Sequence, residues 1–189
     1  VMDNPNATQN EVDDATKAIQ DALKNMEKSI ATIESNFKEA YWDGNKLVFG
    51  GIFNILNTNV DQNAKKILII KNSNGDIVKK IDTWNAPWAD NTGYQCFINA
   101  KDFESLSDGT YKLYVSTSIN GANYESEVKQ PNSLLRYIVH NNINDLETKR
   151  FGDNVVKFSS NKDNEVIFTK EASVLTPSVN TKDMYFIES

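Results

Sequence analysis

Cysteine, histidine and proline are scarce in this sequence of 189 residues, which contains one cysteine, one histidine and four prolines. A single cysteine excludes an internal disulfide, and Cys96 and His140 together are too few ligands for a zinc site of cysteines and histidines. Nucleophilic catalysis requires a nucleophile, a base and an orienting group within reach of each other. Neither residue lies in such a motif. We therefore predict no catalytic residue, no metal and no cofactor, and expect that the protein is not an enzyme, although its 26 acidic residues leave a paired-carboxylate site open.

Long apolar runs and an excess of basic charge are also missing. No stretch of about 18 apolar residues is present, so we expect no membrane insertion. The net charge is −6, and a chain without a strong positive field is not expected to bind nucleic acid. The opening residues, VMDNPNATQN, lack the charged and apolar regions of a signal peptide, which is typical of a processed chain or of a segment of a longer one.

A long amphipathic helix is predicted near the N-terminus. The segment TQNE, Thr8 to Glu11, has the form of a capping box, in which Thr8 and Glu11 satisfy each other's backbone amides. Apolar residues then recur every three or four positions: Val12, Ala15, Ile19, Leu23, Met26, Ile30, Ile33 and Phe37. We interpret residues 1–43 as a helical strut or linker. Because such a helix is unstable alone, its stripe should pack on the next domain or on a protein partner.

Past Gly44 the apolar period changes from 3.6 residues to two. Short strands separated by turn signals follow, among them KLVFGGIFNIL, KKILII, YQCFINA, TYKLYV, LLRYIV, NVVKFSS and NEVIFTK. Asn74-Gly75 and Asn120-Gly121 predict hairpin turns, and the pair Gly50-Gly51 predicts a bulge or a close backbone approach. The pattern favours a mainly β fold, an antiparallel β-sandwich over residues 44–172, with residues 173–189 as a C-terminal tail or edge strand.

Two features of this region predict individual contacts. Cys96 alternates with Tyr94 and Ile98, so we expect its thiol to be buried as a small hydrophobe. The segment LSDGTYKLYV resembles the E–F corner of immunoglobulin-like and fibronectin-like sandwiches, with Leu106, Gly109 and Tyr111 at the matching positions. The resemblance implies an immunoglobulin-like β-sandwich in which the Tyr111 hydroxyl bonds back to the corner backbone. The cysteine pair of antibody domains is absent.

Two wider resemblances imply a cellular setting. The segments WDGNKLVFGG, ILIIKNSNGDIVKKIDTW and DFESLSDGTYKLYV resemble accessory β-domains of Gram-positive cell-envelope proteins, some of which accompany cell-wall glycosyltransferases or glycan-processing enzymes. The segment NATQNEVDDATKAIQDALKNM is similar to the last helix of FIVAR-type three-helix modules of large secreted or wall-anchored proteins. Both imply an extracellular or cell-wall-associated part of a multidomain Gram-positive protein.

The candidate binding residues lie in the segment IDTWNAPWADNTGYQC. Trp84, Trp88 and Tyr94 could stack on sugar rings, while Asp82 and Asn85 meet sugar hydroxyls. Alternatively, Trp84 and Trp88 cover an open end of the sandwich or receive the helix, because burying an aromatic side chain contributes about 1.5–3 kcal/mol. An interface with a protein is a third interpretation.

The leading hypothesis is a non-catalytic accessory module that binds a glycan, a cell-wall polymer or a cell surface. One alternative is a structural spacer or assembly subunit whose N-terminal helix pairs with a protein partner. Another is an accessory domain of a carbohydrate-active enzyme. The first alternative predicts oligomers and no glycan binding, so the two classes are separable by experiment.

Overall fold

The computed structural model describes residues 8–57, 61–86, 90–131 and 142–173, and the fold of these residues is mainly β with one N-terminal helix. The helices are α1 (Gln9–Ile30) and α2 (Ala100–Glu104), with a short 3₁₀ helix at Ile143–Asp145. The strands are β1 (Thr32–Asp43), β2 (Lys46–Leu56), β3 (Lys66–Lys71), β4 (Ile77–Asp82), β5 (Gly93–Asn99), β6 (Gly109–Ile119), β7 (Ala122–Glu127), β8 (Lys149–Phe151), β9 (Asn154–Ser160) and β10 (Val166–Ala172). The predicted strand LLRYIV and most of the predicted tail lie outside the described residues.

Helix α1 begins as predicted and ends earlier than predicted. The Thr8 amide and hydroxyl donate to the Glu11 carboxylate at 2.8 and 2.9 Å, which confirms the capping interaction. The helix stops at Ile30, and residues 32–43 form β1, paired with β2 along its whole length. The predicted extension of the helical stripe through Ile33 to Phe37 is therefore wrong. Phe37 is fully buried in the core, and this burial with the strand hydrogen bonds outweighs the local helical spacing.

Two antiparallel sheets share one core. The smaller has the order β1-β2-β5, and the larger has the order β4-β3-β6-β10-β9-β8, with β7 also paired to β6. The larger sheet curls into a half-barrel. The sheets are joined where Lys129 bridges Asn36 in parallel and Glu165 in antiparallel fashion. Both sheets contribute to a single cluster of buried side chains, including Phe49, Phe53, Leu68, Ile70, Leu113, Val115 and Phe168.

The Gly50-Gly51 pair marks both a bulge and a close approach. The bulge lies in the partner strand β1, where the register shifts between Phe37, opposite Gly51, and Glu39, opposite Gly50. A Cβ atom on Gly51 would lie 2.5 Å from the Tyr94 hydroxyl and 2.6 Å from the Asn36 carbonyl oxygen. Gly51 therefore leaves room for the Tyr94 ring to lie across β2.

Other predicted local features are present. The Tyr111 hydroxyl donates to the Ser107 carbonyl at 2.7 Å, as the corner resemblance implied, and Leu106 is buried beside it. The predicted hairpins are the pairs β3–β4 and β6–β7. Cys96 is fully buried, and burial raises the pKa of its thiol, so the prediction of a buried hydrophobe is confirmed.

Candidate functional site

The described part of the aromatic segment crosses from one sheet to the other. Strand β4 ends at Asp82 on the larger sheet, and two residues later Trp84 pairs with Gln95 of β5 on the smaller sheet. The amide of each residue donates to the carbonyl of the other at 2.9 Å. Directly opposed residues of an antiparallel pair share a face, so Trp84 lies on the outer face with Gln95.

Lys66 anchors this crossing from the larger sheet. Its ammonium is nearly buried and donates to the carbonyls of Asn91 at 2.7 Å and Gln62 at 2.9 Å. The Lys66 carbonyl accepts a hydrogen bond from the Thr83 hydroxyl at 2.7 Å. Burial lowers the pKa of Lys66, and the Asp61 charge partly opposes that effect. Lys66 thus binds the chain before Trp84, at Thr83, and after it, at Asn91.

Three exposed aromatic side chains lie on the outer face of the smaller sheet. Tyr41, Val48 and Phe97 are in register across β1, β2 and β5, and the Trp84 ring meets the Phe97 ring edge-on at 4.7 Å between centroids. Trp84 and Phe97 are each 40% exposed and Tyr41 is 47% exposed, whereas Val48 between them is buried. We name Tyr41, Phe97 and Trp84 the aromatic platform.

Polar groups fix and border the aromatic platform. The Trp84 indole N–H donates to the Gln95 side-chain oxygen at 3.1 Å, and the Gln95 side-chain amide donates to the Glu39 carboxylate. Gly50 lies between Glu39 and Gln95 in the register and has no side chain to separate them. The indole is thereby held in one orientation before any ligand arrives, which reduces the entropy lost on binding.

Both ends of the platform carry further polar side chains. The Lys46 ammonium lies 4.2 Å from the centre of the Phe97 ring and 3.0 Å from the Asp43 carboxylate. Beside Tyr41, a groove of about 370 Å³ is lined by Trp42 and by the polar residues Asn142, Asp145 and Glu147. The arrangement offers flat apolar surfaces with hydrogen-bonding groups at their edges, the combination that binding sites for small polar molecules use.

The predicted site residues do not stay together in the structure. Tyr94 points into the core and is fully buried, as the packed alternative for this segment expected of an aromatic side chain. Asp82 is exposed on the larger sheet and pairs with Lys65 at 2.7 Å. Asn85 is exposed next to Trp84. Trp88 lies outside the described residues.

Sequence reasoning missed the other members of the platform. Phe97 and Gln95 occupy the alternate positions of the strand in which Tyr94, Cys96 and Ile98 point inward. The alternation of apolar residues along this strand therefore already indicated that Phe97 points outward. Tyr41 was missed because residues 1–43 were interpreted as a helical strut or linker, which assigns its side chain to no sheet face.

A second polar cluster lies on the outer face of the larger sheet. Lys112 contacts Glu127 at 3.3 Å and Glu165 at 2.8 Å, and the Tyr114 hydroxyl donates to Glu127 at 2.7 Å. A hydrogen bond with Glu127 contributes most to lowering the pKa of Glu165 to about 2, and Lys112 and Asn161 add to it against the cost of burial.

Metal-binding clusters and membrane-spanning helices are both absent from the described ranges. No group of three or more His, Cys, Asp and Glu side chains there could hold a metal ion. Of the helices within those ranges, none has the length and apolar character needed to cross a membrane.

Comparison with known proteins identifies a shared fold. No family model and no curated protein matches the chain. The crystal structure of S. aureus TarS is similar with a TM-score of 0.56 and 13% identity, over 78% of this chain and 26% of that chain. A structure of S. aureus TarS 217-571 gives 0.53 and 14%, over 77% of this chain and 40% of that one. This chain thus spans about a quarter of TarS, and at such identity the likeness shows the fold alone.

Proposed function

We propose that the protein is a non-catalytic accessory module that binds a glycan or cell-wall polymer outside a Gram-positive cell. The observation that carries this proposal is the aromatic platform, in which three partly exposed rings lie on one rigid sheet face. Sugar rings present apolar C–H faces that pack on aromatic side chains, and the Glu39 and Gln95 side chains lie within the same face to meet hydroxyls. Exposed aromatic surface rimmed by polar side chains is a feature of many binding sites.

The fold proposed for this module is immunoglobulin-like. The order β1-β2-β5 corresponds to strands A, B and E, and β4-β3-β6-β7 corresponds to C′, C, F and G of such a sandwich. Strands β8–β10 extend the second sheet. The hydrogen bond from Tyr111 to Ser107 supports the assignment, since it joins the start of strand F to the preceding corner. A crystal structure of the chain tests the strand order directly.

The structural neighbour supports the same setting. TarS is a glycosyltransferase, and a domain similar to this chain forms about a quarter of it. A role as accessory domain of a carbohydrate-active enzyme is therefore compatible with glycan binding, because such a domain holds its parent near the polymer.

Removal of the platform rings tests the proposal. The double substitution Trp84→Ala and Phe97→Ala should lower retention on purified Gram-positive cell walls and isolated polysaccharides by about tenfold or more, because two stacking contacts of about 0.5–1.5 kcal/mol each are lost. Affinity electrophoresis and sedimentation with insoluble polymer measure the retention. The matched control is Val78→Ala, which removes an exposed apolar side chain from the larger sheet.

Unchanged retention of the double variant would exclude the platform as the binding site. Failure of the wild-type chain to bind any of these polymers would instead favour the second candidate, a structural spacer or assembly subunit. The specific observation for that candidate is the exposed apolar stripe of α1, where Ile19, Leu23 and Met26 are all more than half exposed.

A further inference from the structure

The aromatic platform is longer than one sugar ring. Tyr41 on β1 and Phe97 on β5 lie opposite Val48 of the strand between them. Neighbouring strands are about 4.8 Å apart, so the backbone positions of Tyr41 and Phe97 are about 10 Å apart. Trp84 extends the row, because it pairs with Gln95 on the side of β5 away from β2. The exposed rings therefore form a row across the strands, and a ligand that contacts the whole row needs several apolar faces in succession.

Hydrogen-bonding side chains lie beside this row and not across it. Glu39 and Gln95 are each two residues along their strands from Tyr41 and Phe97, which places them on the same face about 7 Å away. The Gln95 amide donates to the Glu39 carboxylate, so both side chains are held in position. Val48, between the two rings, is buried and forms an apolar floor. A chain of sugars that stacks along the row can therefore direct hydroxyl groups to one side of the row, towards Glu39 and Gln95.

The surroundings of the platform have no excess of positive charge. Carboxylates border the platform or line the groove beside Tyr41: Glu39, Asp43, Asp145 and Glu147. Lysines lie on β1 or contact the rings of Phe97 and Trp42: Lys38, Lys46 and Lys149. Of these, Lys46 is already paired with Asp43 at 3.0 Å. Because recognition of phosphate groups requires a concentration of positive charge, the surface is better suited to an uncharged ligand than to a phosphate-bearing polymer.

We propose that the platform binds several consecutive sugars of an uncharged glycan chain, which lies across the strands from Trp84 to Tyr41. The inference rests on the proposed function, and it adds the charge, the minimum length and the direction of the ligand. Single sugars and phosphate-bearing wall polymers are not the ligands of this site.

Competition by fragments of different length tests the required length. A polymer that retains the wild type is hydrolysed to fragments of one to six sugars, which then compete in affinity electrophoresis. A fragment of five sugars should compete at least about tenfold better than the single sugar, because it reaches rings at both ends of the row. Tyr41→Ala should weaken binding of the five-sugar fragment by about two- to tenfold.

The matched control is Tyr41→Phe, which keeps the ring and should bind the five-sugar fragment as the wild type does. Circular dichroism and thermal unfolding check that both variants are folded. A single sugar that competes as well as the five-sugar fragment would overturn the proposal. So would a Tyr41→Ala protein that binds this fragment as tightly as the wild type.

Removal of phosphate polymers tests the charge of the ligand. Cell walls extracted with hydrofluoric acid lose their phosphodiester-linked polymers, and the wild type should be retained on extracted and untreated walls to within about twofold. Retention should change by less than about twofold between 0.05 and 0.5 M NaCl, because salt screens exposed ionic contacts and not stacking. Loss of retention on extraction, or a steep fall with salt, would overturn this inference and leave the proposed binding of a wall polymer in place. No retention on any wall preparation or polysaccharide would overturn both.

Discussion

The inner and outer faces of the smaller sheet both carry aromatic side chains, in different surroundings. On the inner face, Tyr94 is fully buried across Gly51, and the backbone around it leaves no room for another side chain. On the outer face, Phe97 and Trp84 contact each other and remain 40% exposed. The two sets come from one segment of 14 residues and differ only in the face on which they lie.

The difference separates side chains that stabilise the fold from side chains that are free to bind. Tyr94 is required by the packing of β2 against β5, so its removal or crowding should change stability. Trp84 and Phe97 bury less area, and the fold has no comparable need for their rings. Substitutions on the inner face should therefore change the free energy of unfolding, and substitutions on the outer face should change retention on a ligand.

The largest expected effect is on the inner face, at Gly51. The substitution Gly51→Ala places a methyl group 2.5 Å from the Tyr94 hydroxyl and 2.6 Å from the Asn36 carbonyl oxygen. Because the Asn36 carbonyl oxygen belongs to the backbone of β1, the steric clash is relieved only if β1 shifts relative to β2. We expect the free energy of unfolding to fall by about 3 kcal/mol, measured by urea denaturation at neutral pH.

The control for Gly51→Ala is Ser35→Ala on the neighbouring strand. The Ser35 hydroxyl is buried and has no hydrogen-bond partner among the residues that the structure describes. Its removal should change the free energy of unfolding by less than about 1 kcal/mol. A Gly51→Ala protein as stable as the wild type would show that Tyr94 does not lie across β2.

An intermediate effect is expected on the outer face of the larger sheet, where Lys112 contacts the carboxylates of Glu127 and Glu165. Glu165 is 8% exposed and contacts Lys112 at 2.8 Å. Glu165→Gln should lower the free energy of unfolding by about 1–3 kcal/mol near pH 7, because it removes one of the two carboxylates that Lys112 contacts and leaves only Glu127.

The pH dependence sharpens this prediction. The pKa of Glu165 is lowered from 4.5 to about 2 in the folded protein. A lowered pKa contributes stability above the unfolded value, and that stability is lost as the pH falls from about 5 towards 2. The difference between wild type and Glu165→Gln should therefore shrink near pH 3. Glu171→Gln, at an exposed carboxylate on strand β10, which directly follows Glu165, is the control. A difference that is constant with pH would contradict the ionic origin.

The smallest effect is expected for Tyr94→Phe. The Tyr94 hydroxyl is buried without a hydrogen-bond partner in the described ranges, and burial raises its pKa well above the usual value. Removing it should leave the free energy of unfolding unchanged or raise it by up to about 1 kcal/mol. Retention on glycan should not change, since Tyr94 is not part of the platform. A loss of retention with unchanged stability would show that the two faces are not independent.

Much of the local structure was predictable because its causes are local. The Thr8–Glu11 cap, the hairpins at Asn74-Gly75 and Asn120-Gly121, and the corner at Tyr111 each depend on a few neighbouring residues. The candidate site was predicted only in part. Trp84 was identified and is exposed, Tyr94 was left between a stacking role and a packed role and is buried, and Phe97 and Tyr41 were not identified.

The sequence by itself determined a mainly β chain with an N-terminal amphipathic helix, because turn residues and the apolar period act over short distances. Only the tertiary structure decided where that helix ends and which aromatic side chains are exposed. Residues 31–37 fit a helical period and a strand period, and pairing with β2 selected the strand. Likewise, the alternation of side chains along β5 places Tyr94 and Phe97 on opposite faces of the strand. Only packing against the second sheet decides that the face with Tyr94 is buried and the face with Phe97 is exposed to solvent.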